Sequence, residues 1–489
     1  MVYTGIPSKA CLHCRKRKLF CDLNRSGCSQ CARASLECTG YRDIQALRVI
    51  NESHKTKHKV QNQKPRRIYL QVQSLTPPIA HQAKDIFFHN YVVGPMRSYH
   101  FLIPFYSEVS KHKHLTTSLD AVALAYLDFQ RRSTFAQKEA RQKYVKALKL
   151  TSLALQDPKL ATQSSTLLAV LLLDLYEKVT TREPQTDGGW SSHIRGALSI
   201  VQLHSQEQLS DPDMVQILTR ISTNLLISCV MTNNPVPEDL QALRLRFSQD
   251  DDPKAREFGI MISYAKLNYE IKNNLISIRE AMSATLDLDA AFQALCLGIA
   301  DAWRYRVETV DNRSPHHLEL YHHIYSDEHI AQMWNVLRLT RILLNEQIFT
   351  WCLDLFSTEY VGSWIACELL QSSSDIIKEM ALEICATVPQ YICETLTGYG
   401  PKENPNATQH LPAYRLIFPL YLAARSARLL PSLQELGVKD YALRQLDFMA
   451  ERHRIENAAF VAGLLREEEK DEWRAWDIYA RLGSYAFVC

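Results

Sequence analysis

CLHCRKRKLFCDLNRSGCSQCARASLEC, residues 11–38, decides the reading of this chain. Its cysteines, Cys11, Cys14, Cys21, Cys28, Cys31 and Cys38, read Cys-x2-Cys-x6-Cys, then six residues, then the same pattern again, so one module is written twice. Six cysteines with identical spacing in both halves, when only seven more occur in the following 451 residues, make chance implausible. Zinc prefers four tetrahedral thiolate or imidazole ligands. Six thiolates therefore satisfy one ion with two left over, or two ions if two thiolates each bridge both metals. The equivalent first members of the repeat, Cys11 and Cys28, are the natural bridging pair, and two Zn2+ are the expected cofactors. A disulfide framework is disfavoured, because Met1-Val2-Tyr3-Thr4-Gly5 lacks the basic region and apolar run of a secretory signal.

The two halves share ligands but differ in charge. Arg15-Lys16-Arg17-Lys18 follows the first cysteine pair, whereas Ala32-Arg33-Ala34-Ser35 follows the second. A peptide this small cannot bury enough apolar surface to fold alone, so a short helix after each pair would be held by the metals. A basic helix anchored in this way can enter the major groove of double-stranded DNA, where Lys or Arg reads guanine O6 and N7. The blander readings of the run are a solvated helix face or a nuclear import signal, a role that Lys64-Pro65-Arg66-Arg67 could also fill.

The segment resembles the fungal zinc binuclear cluster transcription factors, the two-zinc six-cysteine class. The resemblance rests on Cys11 to Cys38, including Cys14-Arg15-Lys16-Arg17-Lys18 and Cys21-Asp22, with Gly40-Tyr41-Arg42-Asp43 similar to a common subgroup. It implies that Cys11 and Cys28 bridge, that Lys18 with Arg17 beside it contacts bases, that Arg15 and Lys16 hold phosphates, and that the preferred site contains CGG triplets. Two positions depart from the usual pattern: Phe20 stands where members often carry a basic residue, and Ser26 where they often carry proline.

Residues 1–75 hold 15 Lys plus Arg against four acids, and the remainder of the chain is mildly acidic. A basic segment on an acidic body points to a polyanionic partner for the segment alone. From Thr39 to about Ala80 the chain is polar and basic and reads as a linker. Ile44, Leu47 and Ile50 begin an apolar helical stripe, but Ser53, His54, Lys57 and His58 cannot continue a coiled-coil seam. Binding as a monomer and pairing through the larger domain both stay open.

Beyond residue 81, apolar residues recur at three and four. Leu119, Val122, Ala123 and Tyr126 form one stripe, and Ala140, Tyr144, Ala147, Leu148 and Leu155 another. Thr162 to Glu177 is nearly continuous in leucine and is expected at the centre of a helical core. Breaks fall at 183–189, 234–237, 250–253, 312–315 and 397–410, and separate helices more than domains. Leu155-Gln156-Asp157-Pro158, Leu175-Tyr176-Glu177 and Trp190 with His193-Ile194-Arg195-Gly196-Ala197 resemble the regulatory domain of the same subgroup.

No catalytic elbow, phosphate loop, metalloprotease motif or dinucleotide fingerprint occurs, so the chain is not expected to be an enzyme. Read as helix, His316, His317, His322, His323 and His329 do not share one face. The later cysteines, 229, 296, 352, 367, 385, 393 and 489, read mostly as buried thiols. Glu467-Glu468-Glu469 with Asp471-Glu472-Trp473 and Trp476 is similar in composition to acidic-aromatic activation segments, but a solvated amphipathic terminal helix is the favoured reading. No stretch approaches the roughly 18 consecutive apolar residues of a membrane span.

The expected architecture is mostly α: a zinc cluster at 7–42, a basic linker at 43–80 and a large all-helical regulatory domain at 81–489. The expected function is that of a nuclear, zinc-dependent, sequence-specific transcription factor of RNA polymerase II genes. Its expected partners are double-stranded DNA, a second copy through the helical domain and transcriptional co-regulators, with no membrane. The rival reading keeps the zinc and makes the cluster a protein-interaction module without specific DNA binding.

Overall fold

The computed structural model describes residues 7–44, 77–93, 99–180, 191–204, 209, 211–247, 253–357, 364–392, 411–453, 455–467 and 475–482. The chain divides into two units, 1–76 and 77–489. Most of the basic linker, including Leu47, Ile50 and Lys55 to Arg67, lies outside the described residues. So do Trp190, Cys393, Cys489 and the acidic stretch 468–473.

In the first unit two five-residue helices, α1 (Leu12–Lys16) and α2 (Ser29–Arg33), pack against each other. Each buries a single residue, Cys14 or Cys31. An isolated helix of five residues does not persist in water, so what holds them must be the sulfur cluster they share.

The second unit is helical. Its first half contains α3 (Ile79–Phe87), α4 (Lys113–Arg131), α5 (Thr134–Gln156), α6 (Ser164–Thr180), α7 (Ser191–Val201), α8 (Pro212–Thr232) and α9 (Glu238–Phe247). Helix α6 is the leucine-rich run, and every residue from Ser165 to Tyr176 is buried. A helix with no solvent face must sit between neighbours; α4, α5 and α7 surround it, with α8 alongside. Helix α5 buries a stripe of small residues instead: Ala136, Ala140, Ala147, Thr151 and Ala154. Small side chains there let α4 lie close. The turn between the two is sharp because Arg132 takes a left-handed backbone, φ 52°, and the Ser133 hydroxyl accepts the Ala136 N–H at 3.2 Å as N-cap.

Asp174 interrupts the leucines of α6 and is buried. Lys178, one turn on, meets it at 2.7 Å, and the Asn224 amide of α8 donates to it at 3.2 Å, so the polar break in the run ties two core helices. Helix α8 is long and apolar enough to cross a membrane by length and composition, but 72% of that window is buried inside the protein. It serves as a core helix.

The second half holds α10 (Pro253–Lys272), α11 (Ile278–Leu297), α12 (Glu328–Ser357), α13 (Trp364–Ile392), α14 (Ile417–Ser426), α15 (Val438–Arg452), α16 (Glu456–Arg466) and α17 (Ala475–Leu482). Ser277 and Glu280 form a reciprocal capping box at the start of α11. Asp289 of α11 takes two bonds from the Arg341 guanidinium of α12, at 2.8 and 3.0 Å, and one from Asn345 at 2.9 Å. The buried helix α14 packs on α12, α13, α15, α16 and α17.

Among the described residues, the larger unit departs from an all-helical expectation at one hairpin. Strands β1 (Arg306–Thr309) and β2 (Tyr321–Ile324) pair antiparallel, with Val307 opposite His323 and Glu308 opposite His322. The histidines at 316–323 therefore lie in a turn and a strand, and a helical frame does not apply to them. Successive strand residues face opposite ways, so His322 meets His317 at 3.3 Å while His323 stacks near Tyr305 beside Arg338. The neighbouring Asn312 to Pro315 break was legible in the sequence; the alternating β-branched run Val307-Glu308-Thr309-Val310 before it, a strand signal, was passed over. Near the C-terminus, α17 packs through Ala475, Ile478 and Leu482, and Trp476 sits against Phe418 and Tyr479. This last helix is a packed element, where a solvated one was expected.

Candidate metal centre and nucleic-acid interface

Equivalent positions of the two halves are offset by 17 in sequence, and the backbone repeats with the sequence. The Arg15 N–H donates to the Cys11 carbonyl at 3.1 Å as Ala32 does to Cys28 at 3.1 Å. The Leu19 N–H returns to the Cys14 carbonyl at 3.0 Å as Leu36 does to Cys31 at 3.0 Å. Between these bonds each helix ends on a left-handed residue, Lys18 at φ 55° and Ser35 at φ 52°.

This geometry gathers the six sulfurs. Sγ of Cys11 lies 3.7 Å from that of Cys28 and 3.7 Å from that of Cys31, and Cys14 lies 3.6 Å from Cys28. They form two overlapping sets of four, Cys11, Cys14, Cys21, Cys28 and Cys11, Cys28, Cys31, Cys38, each with its sulfurs within 4.8 Å of one another. Cys11 and Cys28 belong to both. Among the described residues no other grouping of histidine, cysteine and carboxylate side chains is drawn together in this way.

The donor chemistry fits a pair of divalent cations. Burial pushes the thiols of Cys14 and Cys31 up, the latter to about 12, so packed thiolates without a cation would be costly. Cys38 goes the other way, to about 7, because the backbone N–H groups of Cys28 and Gly40 face its sulfur. Two soft thiolate quartets sharing two members suit tetrahedral zinc, which takes four sulfur ligands.

Residues outside the expected metal and DNA-binding set also shape this frame. The Asp22 carboxylate accepts the Ser29 N–H at 3.2 Å and so caps the start of α2, and hydrogen bonds from the Ser29 side chain and backbone hold its pKa below the ordinary carboxylate range. Gly27 precedes Cys28 at φ +113°, a conformation that side chains rarely adopt. The Arg42 N–H donates to the Lys9 carbonyl at 3.2 Å and closes the module on itself. Asp22 and Arg42 stand in the stretches that carry the family resemblance, whereas Gly27 was not singled out.

Of the basic run, Lys16, Arg17 and Lys18 are exposed and Arg15 is half-buried against the cluster. The equivalent places in the second half carry Ala32, Arg33, Ala34 and Ser35. One half of a symmetric frame thus presents a cationic ridge from the C-terminal end of its helix, and the other does not. Phe20, immediately before Cys21, is 86% exposed.

The family model of the fungal Zn(2)-Cys(6) binuclear cluster domain matches residues 9–47. The chain carries a fungal zinc binuclear cluster. A Zn(2)-Cys(6) domain binds two zinc ions, and it is a DNA-binding domain of transcription regulators. A second model, the fungal specific transcription factor domain, matches residues 83–262, which takes in α3 to α9 and part of α10. Together the two matches support a fungal transcription regulator and point to a non-enzyme role. No curated protein and no solved structure matches it.

Proposed function

We propose that this regulator acts in the nucleus as a sequence-specific factor for genes of RNA polymerase II, reading CGG-containing elements through its first cysteine half. Cys11, Cys14, Cys21 and Cys28 would hold one zinc ion and Cys11, Cys28, Cys31 and Cys38 the other, with Cys11 and Cys28 as the shared ligands. The ions fix α1 so that Lys18, with Arg17 beside it, reaches guanine O6 and N7 in the major groove. Arg15 and Lys16 hold phosphates and set the register.

The observation that carries this reading is the asymmetry of charge on a symmetric frame. Lys16, Arg17 and Lys18 crowd the exposed end of α1, where α2 has a single arginine. The proposed division of the chain is a cluster at 7–42, a basic linker at 43–80 that adds phosphate affinity, and a helical body from 81. The body is the candidate surface for a second copy and for co-regulators.

One observation favours the rival reading as an interaction module: Phe20, with Leu12, Leu19, Leu23 and Leu36, gives the cluster exposed apolar surface. Selection of sites from random duplexes by the full chain, with zinc retained or chelated, separates the two. Enrichment of a CGG-like element that chelation abolishes supports DNA reading; loaded zinc without enrichment supports the interaction module.

A further inference from the structure

Helix α5 has two unlike faces. Its small residues, Ala136, Ala140, Ala147, Thr151 and Ala154, are buried. At about 100° per residue, Lys138, Arg141, Lys146 and Lys149 fall on the opposite side within an arc of about 140°, and all four are exposed. Among the described residues no carboxylate pairs with any of them. Lys143, which does meet Asp120 at 2.8 Å, stands toward the buried side, and the helix's one acid, Glu139, lies beyond the edge of the arc. The larger unit is mildly acidic as a whole, so this face is a local concentration of positive charge.

The same arc carries apolar side chains. Phe135, Val145 and Leu153 are 58%, 46% and 62% exposed. Duplex DNA offers phosphates to the cations but nothing that covers three apolar groups among them, and the acidic remainder of the unit repels it. A peptide whose carboxylates flank apolar side chains complements both features of the face.

A groove of about 630 Å³ opens beside it, lined from α4, α5, α6, α16 and α17. Lys138 and Arg141 border the groove together with Phe129, Val179, Phe460 and Leu482. Its other cations are matched, Arg132 by Glu456 and Lys178 by Asp174. Asp128 is the one further acid of the described lining, so the balance stays positive, and Lys146 and Lys149 extend it along α5. The volume falls within the roughly 300–1,000 Å³ of small-molecule pockets, ample for an aromatic side chain.

We infer that the exposed face of α5 and the adjoining groove dock an acidic amphipathic helix of a partner protein. Its carboxylates meet Lys138, Arg141 and Lys149, and an aromatic or leucine side chain enters the groove beside Phe129 and Phe460. From Phe135 to Leu153 the face runs about 27 Å, the length of a helix of about 18 residues. The inference rests on the larger unit being a surface for co-regulators and is independent of the DNA-reading assignment.

Fluorescence anisotropy tests it, with the full zinc-loaded chain at physiological salt and a labelled helical peptide of about 18 residues carrying Phe and Leu along one side and Glu flanking them. A counterpart with glutamine for glutamate should bind about tenfold more weakly, and Lys138→Glu with Arg141→Glu and Lys149→Glu should weaken the acidic peptide by about tenfold as well. Phe135→Ser with Leu153→Ser should weaken it about threefold. Circular dichroism and affinity for duplex DNA should stay those of the unaltered chain. Peptide binding unchanged by the charge reversals would overturn this assignment alone; no binding by the unaltered chain would overturn the co-regulator surface with it. Equal weakening of DNA binding would make the face a phosphate contact, and self-association that the reversals abolish would make it an interface between copies; either result overturns the assignment. If the reversed variant fails to fold, Lys138→Gln with Arg141→Gln and Lys149→Gln, expected about threefold weaker, decides in its place.

Discussion

Lys18 and Ser35 close the two halves of the cysteine repeat with the same left-handed turn, φ 55° and 52°, and differ in the side chain each sends into solvent. The backbone has no preference between them, so function can be moved without disturbing the frame. Lys18→Ser should leave zinc content and folding intact while costing about 1–3 kcal/mol of discrimination at one base pair, the range of a single good base contact. Competition binding against single-base variants of the selected site measures it, and an unchanged preference at every position would remove Lys18 from base reading.

Removal of a shared sulfur differs from removal of an unshared one. Cys28 belongs to both thiolate sets and Cys38 to one. Cys28→Ala should lose both zinc ions and the structure of both halves, whereas Cys38→Ala should retain metal in the first set. Zinc per chain, read by atomic absorption after gel filtration, distinguishes the two outcomes; equal loss in both variants would contradict the bridging assignment.

The Asp174–Lys178 pair is held by the core more than it stabilises the core. Burial keeps the Asp174 carboxyl above its ordinary range despite Lys178 at 2.7 Å. Asp174→Leu alone removes the carboxylate that the buried Lys178 ammonium meets at 2.7 Å and should cost about 3–5 kcal/mol. Adding Lys178→Met should recover most of that, leaving about 1–3 kcal/mol for the Asn224 amide that has lost its acceptor. Denaturant midpoints of the single and double variants report the difference, and an additive double variant would refute the coupling.

Acid should destabilise the larger unit through the hairpin histidines. Burial, then Arg338 and His322, hold His323 down to about 2, and burial lowers His317 and His322 as well. Glu383 lies 3.6 Å from His323 but is already matched by Arg338 at 2.9 Å. A depressed folded value means that the unfolded chain binds the extra protons. The stability is therefore present above about pH 6.5 and is lost progressively as pH falls from there toward 2. His323 alone should account for about 2 kcal/mol between pH 7.5 and 5. Although burial pulls the other way, the Glu177 carboxylate raises His193, which offsets part of this loss. His323→Gln should flatten the slope of melting temperature against pH; an unaltered slope would show that the ring is not buried neutral.

What was legible in the sequence followed from constraints that act locally. Cysteine spacing restricts which sulfurs can meet, and the apolar run from 167 to 175, broken only by Asp174, marked a helix buried on every side. The charge difference between Arg15–Lys18 and Ala32–Ser35 was likewise plain. What escaped depends on partners distant in sequence. The hairpin histidines read as helix because nothing near them announces Arg338 or Glu383, and Trp476 read as solvated because its partners Tyr264 and Phe418 lie 212 and 58 positions away.

The most direct test of the central claim is site selection from random duplex DNA at physiological salt, using the full chain, its Lys18→Ser variant and a chelated sample, with zinc measured in each. The account predicts two zinc ions per chain, enrichment of a CGG-containing element by the unaltered protein, loss of that preference with retained zinc in Lys18→Ser, and no binding after chelation. Two bound zinc ions with no enriched sequence, or an element that survives chelation, would contradict it.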